Sequence, residues 1–168
     1  MTLLVLLALL VVPYLLLTAA GRGGGALGVA PPVRARVGLT LFFAFTALGH
    51  FVRGEEMSAM LPAAVPYRLG IVYLTGALEL LGAAGVWVPG LTRVTGACLI
   101  LMLLCFLPAN IYSALYRVDF GGHGDGPAYL ILRVPFQLFV IWWTSFATEQ
   151  KWLSRRAERP AEGVQGVR

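Results

Sequence analysis

Charge is what this sequence has least of. Of its 168 residues 12% are Asp, Glu, Lys or Arg, while 58% are hydrophobic; water-soluble domains carry about twice that charged share. A chain so poor in polar groups cannot coat itself against water, which excludes an ordinary soluble domain and points to a bilayer as solvent. Cysteine is nearly absent too. Cys98 and Cys105 both fall inside an apolar run. On one helix, seven residues put them about 10 Å apart along the axis, too far for a disulfide. No CxxC pair is present, which excludes a dithiol redox motif. No HExxH and no cluster of thiolates occurs, so no metal centre is expected. Haem, flavin and iron–sulfur motifs are lacking as well. The formal net charge is +5. Its basic residues sit at the ends of apolar runs and in the C-terminal tail, a placement that suits anionic lipid headgroups and excludes nucleic acid as the expected partner.

What is present is a series of five apolar stretches: Leu3 to Ala19, Val37 to Val52, Tyr67 to Val88, Thr92 to Leu115 and Ala128 to Thr148. Each approaches the roughly 20 residues that cross a hydrocarbon core. The fold class expected is all-α, a polytopic transmembrane helix bundle. The first run lacks a basic segment before it, which favours a retained helix over a cleaved signal. Residues 1–20 are read as an N-terminal transmembrane helix and 21–33, rich in Gly, Ala and Pro, as a flexible linker. Residues 34–148 form the core, and 149–168 a polar tail. Arg22, Arg34, Arg36, Arg93 and the five basic residues of the tail fall on one side of this topology, against Arg53, Arg68 and Arg117 on the other. Basic residues favour the cytoplasm, so the N-terminus is expected outside, the C-terminus inside, in a plasma (inner) membrane. Tyr14, Tyr67, Trp87, Tyr116, Tyr129, Trp143 and Trp152 fall near span ends, as interfacial anchors do.

Polar residues within the spans need a reason, because an unpaired charge at mid-bilayer costs about 3 kcal/mol or more. Glu79 stands in the middle of the third run. Thr75, Gly76, Gly82 and Ala83 surround it on one helical side, a small-residue face that lets helices approach closely. Glu79 is expected to face the bundle, as a helix-locking group or as a working acid. His50 ends the second run and is the side chain most easily tuned to titrate near neutrality. Together they are the candidate acid/base pair. Arg133 and Gln137 share a face four residues apart on the last helix, with Pro135 between them freeing the carbonyl of Ile131. Arg133 can snorkel outward or partner Glu79. Asn110, just after Pro108, can satisfy the kink or meet a ligand. Glu55 and Glu56 belong to the outer loop, where at least one is expected to be solvated. Glu55 is retained as a candidate ligand contact. The topology brings His50, Asn110 and Arg133 together on the outer side, over Glu79 and Gln137, and so outlines an outward-opening polar pocket.

The ordered set Gly49-His50-Phe51, Glu55-Glu56-Met57, Met60-Leu61-Pro62, Pro66, Val72 to Glu79, Phe106 to Tyr112 and Leu132 to Gln137 resembles the DoxX-like family of small bacterial membrane proteins. The resemblance covers roughly residues 34–148. It implies a four-helix core to which the first helix is an addition, and it makes Tyr112 a further candidate for ligand contact. It also implies association with membrane redox or stress-response systems, in which a membrane or periplasmic redox protein would be the partner and a quinone the lipophile. A homo-oligomer is compatible with this reading. Two functions follow. One is an accessory component that binds a lipophile. The other is a small enzyme of isomerase or hydratase type using Glu79 and His50. A transporter is disfavoured, because the single short bundle has no inverted repeat.

Overall fold

In the computed structural model, which describes residues 2–22 and 29–150, every regular element is helical. The order is α1 (Thr2–Arg22), α2 (Pro31–Val52), α3 (Gly54–Ser58), α4 (Arg68–Gly85) and α5 (Thr92–Leu115). A short 3-10 segment (His123–Tyr129) then leads into α6 (Leu130–Ala147). Residues 23–28 of the linker and most of the polar tail, with Trp152, lie outside the described residues. The linker is shorter than expected at its far end. Pro31 and Pro32 already belong to the first turn of α2, where a proline loses no hydrogen bond and its fixed φ suits the helix.

Among the described residues four helices are long and apolar enough to cross a membrane: Thr2–Gly21, Pro31–Val52, Thr92–Leu115 and His123–Ala147. α4 is not among them. It has 18 residues, with Arg68 at one end and Glu79 inside, which lowers its apolarity without shortening it much. At a rise of 1.5 Å per residue it is still about 27 Å long.

Pairings along the helices fix their directions. His50 on α2 meets Val72 on α4, while Thr40 meets Ala83, so the two are antiparallel. Ala35 and Phe42 of α2 lie beside Trp143 and Phe136 of α6. α5 and α6 pair Asn110 with Arg133 at one level and Gly96 with Thr148 at the other. α1, α4 and α6 therefore run one way and α2 and α5 the other. One end of the bundle carries α3 and the 3-10 segment and is called the loop end here. The opposite end carries Arg36, whose guanidinium donates to the Ala147 carbonyl at 2.8 Å and pairs with Glu149 at 2.9 Å.

The core is built around α2. Leu39 and Phe43 are fully buried, against Leu10 of α1, Val86 beyond α4, and Val140 and Trp143 of α6. Outward-facing leucines and valines, such as Leu4, Leu16, Leu74, Leu81 and Leu101, are left exposed. In water such a surface would aggregate; in lipid it is the contact surface. Trp143 was expected at an interface but is buried. Its indole N–H donates to the Ala35 carbonyl at 3.2 Å and its ring meets Tyr14 edge-on at 5.5 Å. An inward face of α6 thus holds α1 to the bundle through an aromatic contact.

α1 and α2 approach so closely that a Cβ on Gly38 would collide with the backbone of Leu10. Gly38→Val is therefore expected to separate α1 from α2 and cost about 1–3 kcal/mol, as overpacking does. Gly70→Ala, where a Cβ meets nothing nearer than 3.9 Å, should stay within about 1 kcal/mol of the parent. Unfolding midpoints in detergent check the pair; equal midpoints for the two variants would contradict the packing.

Candidate functional site: a buried carboxyl beside an open cavity

Glu79 leaves α4 toward α2 and is 3% exposed. Gly76, one turn earlier, makes this possible. A Cβ there would stand 2.6 Å from the Cβ of His50, so only glycine lets the two helices close at this level. His50 lies in the gap. Its Nδ1 is 2.8 Å from the Val72 carbonyl, an oxygen that can only accept, so Nδ1 carries the proton. Thr75 donates its hydroxyl to the same carbonyl at 2.9 Å. The other ring nitrogen, Nε2, faces Oε1 of Glu79 at 3.7 Å. That is too long for a formed hydrogen bond. A bare nitrogen lone pair opposite a carboxylate would be repulsive, and a single proton carried by either group removes the conflict. The second carboxyl oxygen, Oε2, is the one buried side-chain oxygen or nitrogen among the described residues with no hydrogen-bond partner.

A cavity of about 660 Å³ runs from Glu79 to the loop end. His50, Thr75 and Thr46 border it beside the carboxyl, and Phe42, Phe45, Leu103 and Phe106 give it apolar walls. α1 contributes Thr2, Leu3 and Leu6, and the loop end contributes Arg53, Met57, Met60 and Phe120. Phe45, Leu48, Val52, Ile71 and Cys105 line it and are also exposed, so the cavity has an open side. At the far end α4 and α5 meet through Gly82 and Gly85 against Leu99 and Thr95, which closes the floor. Size and lining match those of sites that take small organic ligands.

One wall is polar. Asn110 donates its amide N–H to the Phe106 carbonyl at 3.0 Å and to Gln137 at 3.3 Å. Its Oδ1 accepts from Arg133 Nε at 3.2 Å. Gln137 in turn donates to the Leu103 carbonyl, one residue before the carbonyl that Pro108 releases. Asn110 and Gln137 therefore knit α5 to α6 beside the proline break. Arg133 does not snorkel away from the bundle: it turns inward and lines the cavity, with its guanidinium 6.0 Å from the Phe136 ring centre. No direct ion pair joins it to Glu79 among the described residues.

Of the residues singled out from sequence, Glu79, His50, Asn110 and Arg133 converge on the cavity. Gln137 is buried behind it, one hydrogen bond away. Glu55 is exposed on α3, away from the lining, next to Glu56, which pairs with Arg53. Tyr112 packs on Tyr116, ring centres 4.3 Å apart, and does not border the cavity. His123 begins the glycine-rich 3-10 segment before α6. It is 3% exposed and lines the cavity, with Nδ1 at 2.7 Å from the Phe120 carbonyl and Nε2 at 3.2 Å from Asn110 Oδ1. The turn that folds it inward needs Gly122 and Gly126, both at positive φ (101° and 77°), a conformation glycine adopts without strain. The glycine-rich run around His123 was the available signal. Among the described residues no group of three or more His, Cys, Asp or Glu side chains could hold a metal ion.

No curated protein and no solved structure matches the chain. A family model matches residues 39–148, from within α2 through the end of α6, so that the whole polar wall, Glu79 and His50 fall inside the matched region and α1 falls outside it. The chain belongs to the family described as "Domain of unknown function (DUF8561)".

Proposed function

We propose that this protein is a multi-pass inner-membrane protein that binds a lipophile in the cavity beside Glu79. The observation that carries the reading is Glu79 Oε2, buried and without a partner, at the floor of a largely apolar cavity that has one polar wall and is open on one side. An unsatisfied buried acceptor costs about 1–3 kcal/mol. A ligand bearing a hydroxyl or another donor would recover that cost and place its apolar body on Phe42, Phe45 and Leu103. In this reading α4 is a fifth crossing. Its length and the strict alternation of helix directions support that. The N-terminus is then outside, the C-terminus cytoplasmic, and the cavity opens toward the outside. The ordered motifs shared with DoxX-like proteins support a four-helix core with α1 added. The family match, which begins after α1, fits the same division. On that resemblance the protein serves as an accessory component of a membrane redox or stress-response system, with a quinone as one candidate lipophile.

A second reading is supported by the His50–Glu79 approach. Nδ1 of His50 is committed to Val72, so only Nε2 can exchange a proton, and it faces the carboxyl. That arrangement suits proton transfer on a bound amphiphile, as an isomerase or hydratase requires.

Mass spectrometry of the protein purified in detergent is expected to find a co-purifying lipophile. Ala109→Trp, which fills the cavity from α5, should remove it without unfolding the protein. Glu79→Gln and His50→Ala separate the two readings. A binding protein loses the ligand by about ten-fold in affinity, the scale of one buried hydrogen bond. An enzyme keeps much of its affinity and loses turnover. Wild-type behaviour in both variants would end both readings.

The two cysteines provide a second check. Both are exposed, but Cys105 borders the cavity and Cys98 does not. A membrane-soluble maleimide should label both in the empty protein, and bound lipophile should slow labelling at Cys105 by several-fold while leaving Cys98 unchanged. Equal protection of the two, or of neither, would place the ligand elsewhere.

A further inference from the structure

Charge in the cavity does not balance. The acidic residue that lines it is Glu79. Its carboxyl faces His50 Nε2, and the geometry there calls for one shared proton, which leaves the pair neutral overall. Arg53, at the mouth, is paired with Glu56. Arg133 remains. Its Nε is used by Asn110, and its two terminal nitrogens have no hydrogen-bond partner among the described residues. They are not closed off by packing either, since they are absent from the buried unsatisfied atoms. Asp119 and Asp125, the acids of the neighbouring loop, do not line the cavity. His123 does not offset this charge: its Nδ1 lies 2.7 Å from the Phe120 carbonyl, which holds the ring proton there, and it brings no negative group to the wall. This wall therefore carries the positive charge of Arg133, with an arginine fork bordering a low-dielectric space.

We propose that the cavity takes an anionic amphiphile, with Arg133 as the counter-ion of its acidic headgroup. An arginine fork pairs two oxygens of a carboxylate or phosphate at once, and such a pair gains strength where water is excluded. Arg133 lies nearer the loop end than Glu79, so the headgroup sits toward the mouth. The chain then extends along Phe45, Leu3 and Leu6. The inference rests on the lipophile-binding reading and narrows the headgroup to one charge class, the donor to Glu79 Oε2 being a separate polar group farther along the ligand. A free fatty acid and a monoalkyl phosphate share the required chemistry.

Binding of radiolabelled dodecanoate to the full-length protein in phosphatidylcholine nanodiscs tests this, after correction for partition into empty nanodiscs. Dodecanoate or dodecyl phosphate should compete about ten-fold or more tightly than methyl dodecanoate, because one charged hydrogen-bonded contact is at stake. Whichever acid competes better identifies the headgroup source. Arg133→Gln should bring the acids down to the level of the ester. Arg133→Lys should retain part of the preference, since the charge stays and the fork is lost, which separates loss of charge from loss of fold. Should the ester or dodecyltrimethylammonium bind as well as the acids, or should Arg133→Gln keep the preference, the anionic class is wrong while lipophile binding stands. Should no probe, the ester included, bind above partition, the lipophile-binding reading falls with it.

Discussion

The arrangement depends on one contact, that of the Glu79 carboxyl with the imidazole of His50. Neither group is stable alone among aliphatic side chains. A bare carboxylate is expensive at mid-bilayer depth, and a histidine free to rotate would not shield it. The backbone resolves this. The Val72 carbonyl takes the proton of Nδ1, which fixes both the tautomer and the ring plane and leaves Nε2 for the carboxyl. Gly76 lets the helices stand close enough for the contact to form. A wider spacing would take the imidazole away from Oε1 altogether.

That contact also explains the shape of the site. Glu79 uses one oxygen toward His50 and keeps the other free, so the bundle tolerates an unsatisfied acceptor at the place where the cavity ends. The helices pack tightly on the floor side, through Gly82 and Gly85, and loosely on the loop side, where Met57, Met60 and Phe120 border the mouth. The opposite wall holds its own polar groups by a chain of hydrogen bonds from Gln137 through Asn110 to Arg133 and His123. Hydrogen-bonded chains of this kind fix side-chain positions in a low-dielectric interior, here with the terminal nitrogens of Arg133 left over. The site thus has a hydrogen-bonded polar wall, a carboxyl held between close-packed helices and a mouth bordered by Met57, Met60 and Phe120.

Much of this was legible in the sequence because lipid makes polar residues conspicuous. Glu79, Asn110, Arg133 and Gln137 stand out in apolar runs, and four of the five runs became helices that meet the length and apolarity of a membrane span. The third run became α4, shorter and more polar, with Arg68 and Glu79 lowering its apolarity. Side-chain direction was less legible. Arg133 could have reached the interface, and Trp143 resembled an anchor. Only the packed bundle shows that both turn inward. His123 was missed because its burial depends on a turn made by glycines at positive φ, a feature of backbone shape and not of residue chemistry. Tyr112 and Glu55 were selected by their place in motifs, and their helices direct them away from the cavity.

The central claim is that one carboxyl, buried between helices, remains reachable from a lipophilic space. Reaction with a lipid-soluble carbodiimide, followed by peptide mass spectrometry, tests it most directly, since such a reagent modifies protonated carboxyls that water-soluble carbodiimides do not reach. The account predicts modification at Glu79 in preference to Glu55 and Glu56, with the reverse order for a water-soluble carbodiimide. Absence of modification at Glu79, with the reagent active on other carboxyls of the same sample, would contradict it.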